Sequence, residues 1–249
     1  MKLNNYILGA LIATVAFAAP SCTTEEPEPQ NLPEYSILVN MDHVWNGQDL
    51  ELNGPYYLTE DQDSFQLTKL IYHINNFKFY DASGALIQDK GDFFMVNVED
   101  DMSPSFDFSK FDDDLSIDSI SFTLGVADSS VNANGDLNTQ FTDPMYWGMI
   151  NGYINFKLEG LSPSVSNNAV VLHVGGYLAP YMNSHQYGFK LNAPAMSKLG
   201  SNEIDLELDL SKYFYSPNII DLDSTHMIHS PNDASAMIVE NWADMITLQ

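Results

Sequence analysis

The sequence predicts an all-β protein, an antiparallel β-sandwich or barrel-like domain closed by a C-terminal helix. Three observations predict it. Apolar residues recur at every second position in residues 35–41, 66–80, 93–98, 116–126, 152–158, 169–174 and 203–210, the period of a half-buried strand. Clusters of Gly, Pro, Asn, Asp and Ser at 81–84, 132–136 and 162–168 separate several of these runs. Near the C-terminus the apolar spacing widens to that of a helix.

The run at 203–210 shows the strand logic most plainly. Ile204, Leu206, Leu208 and Leu210 alternate with Glu203, Asp205, Glu207 and Asp209, which makes one face dry and the other wet. Strands recurring between such turns suit a sandwich or barrel. At the end of the chain, Ser230 to Asp233 has the spacing of a capping box, with Pro231 at the first helical position. Ala236, Ile238, Val239, Trp242, Met245 and Ile246 then form one amphipathic stripe.

The first residues are of another kind. Lys2 precedes an apolar run over 6–18 broken only by Gly9 and Thr14, too short for the roughly 20 residues of a permanent membrane span. Ala18-Ala19-Pro20-Ser21 leads into Cys22, the only cysteine. The pattern reads as a signal peptide over 1–21. A lone thiol has no intramolecular disulfide partner, and the small residues before it resemble a bacterial lipobox, which implies Cys22 as the acylated first residue of a lipoprotein; the alternative is a soluble secreted protein with a stray Cys22. Residues 22–33, rich in Glu and Pro, form an extended tether, and residues 34–249 form the β domain. The expected location is the cell envelope, as an outer-membrane lipoprotein facing the periplasm or the cell surface, touching membrane through its lipid anchor alone.

Hydrophobic residues are 45% of the chain, enough for a substantial core. With 9 Lys, no Arg and 34 Asp plus Glu, the formal net charge is −25. Nucleic acid is excluded as a partner, because phosphate binding needs clustered cationic side chains. Arginine forks for phosphate or carboxylate ligands are absent too, which leaves cations, neutral ligands or a basic protein. No nucleophile elbow, phosphate loop or His-Glu-x-x-His occurs, so an enzyme is not expected.

Chemistry is left to six histidines, at 43, 73, 173, 185, 226 and 229. Neutral imidazole is a common copper or zinc ligand, although a strand histidine is more often a hydrogen-bonded structural residue. His173 interrupts an apolar run and precedes Gly175-Gly176, where the backbone can bend or approach another group closely. The segment 143–160 is dense in aromatics, with Met145 and Met149 flanking Trp147. Thioethers suit Cu(I), and Met also fills core gaps. Asn132, Asn134 and Asp136 resemble the start of a calcium loop, but position twelve is Asp143 rather than Glu, and a surface turn is the simpler reading.

Residues 120–126, Gly135-Asp136-Leu137-Asn138, Met145-Tyr146-Trp147, 152–160, His173-Val174-Gly175-Gly176 and 70–77 together resemble the MbnP family over roughly 35–247. That resemblance implies a β-rich exported protein that binds copper and has a di-haem peroxidase-like partner, associated with oxidation of a tryptophan to kynurenine. Residue by residue it implies His43 and His173 as imidazole ligands and Trp147 as the oxidisable aromatic. Two positions depart from the family pattern: Met149 stands at its second tryptophan and His73 at an aromatic. The function expected is a lipoprotein holding Cu(I) for acquisition or storage. The alternative is a metal-free surface module binding glycan or protein through Trp45, Trp147 and Trp242.

Overall fold

The computed structural model describes residues 35–111, 116–128, 131, 145–147, 152–196 and 202–249. The signal peptide, Cys22, the tether, the loop beginning at Asn132, and Met149 lie outside the described residues. No described helix is long and apolar enough to cross a membrane.

Two sheets face one another. The first is ordered β16 (Ile246–Leu248), β14 (Asn202–Asp209), β1 (Tyr35–Trp45), β2 (Gln48–Asp49), with β6 (Ser105–Phe111) also paired to β1. The second runs β13 (His185–Met196), β7 (Ser116–Leu124), β4 (Ser64–Tyr80), β9 (Gly152–Leu161), β10 (Ala169–Gly175), β15 (Met227–Ile228). Onto this second sheet β3 (Tyr57–Leu58), β5 (Leu86–Asn97) and β8 (Tyr146–Trp147) add as further partners. Most pairs are antiparallel. β1 with β14, and β10 with β15, are parallel.

The inward side chains of both sheets form one core. Ile37, Val39, Met41 and Trp45 of β1 meet Phe65, Leu67, Tyr72 and Phe77 of β4 in the same buried cluster. Phe77 lies 4.8 Å from Phe108 and 5.1 Å from Phe122, which ties β4 to both β6 and β7 through aromatic contacts. Strand β4 is the spine. Its first part, to Tyr72, pairs with β9 and its second, from Ile74, with β7; within the β7 ladder the register shifts beyond Asn75, where Asn76 takes a positive φ of 56°.

Every alternating run of the sequence is a strand, with ends shifted by a few residues. Strands β6 and β13 were not expected, although Phe106 and Phe108, and Tyr187, Phe189 and Leu191, do alternate. Gly188 and Pro194 interrupt the β13 pattern, and β6 is short. The helix α1 (Asp233–Asn241) begins two residues later than Pro231, the first helical position that the sequence suggests. Asn232 is the true cap: its side chain accepts from Ser235 N at 2.8 Å, and Ser235 Oγ accepts from Asn232 N at 2.9 Å. A short pair, β11 (Tyr177–Leu178) with β12 (Tyr181–Met182), follows the Gly-Gly bend.

Candidate metal site

In β10, Val170, Leu172 and Val174 point into the core, so His173 points to the outer face of the second sheet. Directly across from it in β9 is Lys157, and one step diagonally is Glu159, which pairs with Val171. On the other flank β15 runs parallel, with Val171 opposite Met227 and Leu172 opposite Ile228. The next residue, His229, thereby arrives beside His173, its ring centroid 5.6 Å away and nearly perpendicular at 81°.

Trp147 reaches the same face from β8, which pairs antiparallel with β9 through Trp147 and Gly152. Its ring centroid is 6.1 Å from that of His173. Behind it, Met145, Ile71 and Ile154 form a small buried cluster against which Met95 and Trp147 pack. The Met145 side chain is thus apolar packing, as the gap-filling reading of the methionines allows.

The Gly-Gly bend does what close approach requires. A Cβ on Gly175 would lie 2.6 Å from the Tyr153 carbonyl oxygen. Gly176 has φ +127° and faces the Tyr181 carbonyl equally closely. Asn183 locks the bend, donating 2.8 Å to Gly175 O and 2.9 Å to Ser235 Oγ, while Asn155 donates to Asn183 O. The strand end carrying His173 is therefore tied to β9 and α1.

The protonation pattern follows from the partners. His173 Nε2 lies 2.9 Å from Glu159 Oε1. A carboxylate only accepts, so Nε2 carries the proton. Burial lowers the His173 pKa, against the raising effect of the Glu159 hydrogen bond, and the Lys157 and His229 charges lower it further. The ring is neutral at neutral pH, and its Nδ1 lone pair has no hydrogen-bond partner among the described residues.

His43 is placed differently. It points inward from β1, between the sheets, so the second sheet separates it from His173. Its Nδ1 donates 2.6 Å to Met102 O, and its Nε2 accepts from Tyr72 Oη at 3.0 Å. Both nitrogens are occupied by protein, and burial lowers its pKa despite the Met102 bond. The geometry brings Trp147 and His173 together, adds His229 and Glu159, and does not bring His43 to them. No spacing in the chain announces His229, because it is joined to His173 only by a parallel pairing across more than fifty residues.

The remaining histidines have local roles. His73 is fully buried, its Nδ1 donating 3.0 Å to Ile154 O, and His226 Nδ1 donates 3.1 Å to Leu222 O. His185 packs on Tyr187 at 4.7 Å. Trp45, stacked 4.7 Å from Tyr57, and Trp242, with no exposure, are core residues.

These features define a β-sandwich with a two-histidine, one-tryptophan cluster on the outer face of its larger sheet. The MbnP family model matches residues 34–234, and the chain belongs to that family. A solved structure, MbnP from Methylosinus trichosporium, shares the fold with a TM-score of 0.53 at 14% sequence identity, over 76% of this chain and 80% of that one. No curated protein matches the chain in sequence.

Proposed function

We propose that this protein is an exported lipoprotein that binds Cu(I) on the outer face of its larger sheet, for copper acquisition or storage. The observation that carries the reading is the convergence of His173, with a bare Nδ1, on His229 and Trp147. Two imidazoles are a suitable donor set for Cu(I), and the chain's net charge of −25 raises the local concentration of any cation. The lipid on Cys22 would hold the domain at the envelope membrane, on its periplasmic or surface side. Family membership supports a link to copper without assigning these ligands.

Trp147 as it stands is a poor donor, since the indole nitrogen lone pair belongs to the ring. Oxidation to kynurenine would change that. Cleavage of the Cγ–Cδ1 bond takes up two oxygen atoms, supplied by two peroxide molecules that are reduced to water at a di-haem peroxidase-like partner. Hydrolysis then releases the formyl carbon as formate, leaving an aryl amine beside His173. With Trp45 and Trp242 buried, the alternative of a metal-free glycan- or protein-binding module rests on the half-buried Trp147 alone.

The test is a competitive Cu(I) titration of the full chain carrying Cys22→Ser, which removes the one thiol able to compete. Stoichiometric binding should weaken about tenfold or more in His173→Ala and in His229→Ala. Mass spectrometry of the Trp147 peptide after co-expression with the partner tests the oxidation. Unchanged affinity in both variants would refute the site.

A further inference from the structure

A histidine can offer a metal either nitrogen, and the choice decides where the metal sits. We infer that Glu159 is a positioning residue that commits His173 to bind through Nδ1. This rests on the copper reading above.

The argument is geometric. Glu159 Oε1 accepts a hydrogen bond from His173 Nε2 at 2.9 Å, with the two side chains 31% and 14% exposed, so water competes only in part for that bond. The two nitrogens of an imidazole point in diverging directions, and one that donates a hydrogen bond has no lone pair for a metal. Glu159 stands on the β9 flank of His173, while His229 stands on the β15 flank. Holding Nε2 toward β9 turns Nδ1 away from the carboxylate.

The bond also fixes the ring plane before any metal arrives. Carboxylates in this position orient a ligand imidazole and raise its basicity, and their loss typically costs roughly tenfold to a hundredfold in metal affinity. Because Glu159 and His173 lie on adjacent paired strands, the geometry is set by sheet register rather than by a mobile loop.

Glutamine keeps the accepting oxygen without the charge, and alanine removes both. On the full chain with Cys22→Ser, Glu159→Ala should weaken Cu(I) binding by roughly tenfold to a hundredfold, with Tm unchanged, and Glu159→Gln should restore most of it. In 15N-histidine-labelled protein loaded with Cu(I), the His173 Nδ1 resonance should move while Nε2 keeps its bonded proton. Cu(I) on Nε2, or an affinity for Glu159→Ala within about twofold of the parent, overturns the inference and leaves the copper reading standing. A parent chain that binds no Cu(I) overturns both.

Discussion

Replacing His73 with Phe should flatten the acid dependence of folding by a calculable amount. His73 is fully buried on β4, and desolvation pushes its pKa from 6.5 down to about 4 against the raising effect of the Ile154 hydrogen bond. The unfolded chain therefore binds a proton that the folded chain refuses. The resulting stability is complete above pH 6.5 and is lost as pH falls toward 4. At about 1.4 kcal/mol for each pH unit between the two values, the whole effect is about 3 kcal/mol, of which about 2.5 is gone by pH 4.5. Phe fills the same space and cannot titrate. It leaves the Ile154 carbonyl short of a donor, which costs about 1 kcal/mol equally at every pH. Urea unfolding at pH 7.5 and 4.5, followed by tryptophan fluorescence, measures both terms. The histidines at 43, 173 and 185, also lowered by burial, act alike in both proteins and cancel in the comparison. An equal loss of stability on acidification in wild type and variant would show that His73 is not held neutral by burial.

Two further outcomes separate the core from the site. His43→Ala should leave Cu(I) affinity unchanged to within about twofold while lowering stability by about 1 to 3 kcal/mol, because it orphans Met102 O and Tyr72 Oη; a copper titration beside a urea melt checks both. Gly175→Ala should destabilise the domain by about 1 to 3 kcal/mol and weaken Cu(I) binding in parallel, since the new Cβ forces β10 away from Tyr153 O next to the His173 strand end. Chemical denaturation and the same titration report the two effects.

Much of this architecture could be read from residue order, and the reason is local. Alternation with period two is a property of neighbours, so the face assignments of Ile204 to Leu208 and of Val170 to Val174 needed no partner strand. The signal-like N-terminus and the acidic balance are likewise visible in composition, as was the change to helical spacing near Ala236. His173 and Trp147 drew notice through their surroundings: a polar ring in an apolar run before two glycines, and an indole between two methionines.

Pairing decided the rest. Whether a histidine looks into the core or out of it depends on which sheet its strand joins. His43 and His173 are both strand histidines, yet one fills the space beside Tyr72 and the other stands on the outer face. His229 acquires its place from the parallel alignment of β15 with β10, and Glu159 from the register of β9, neither of which leaves a trace in local spacing. Residue order determined which side chains could carry the chemistry. Contacts between distant strands, which only the folded chain makes, decided which of them meet and which imidazole nitrogen is left bare.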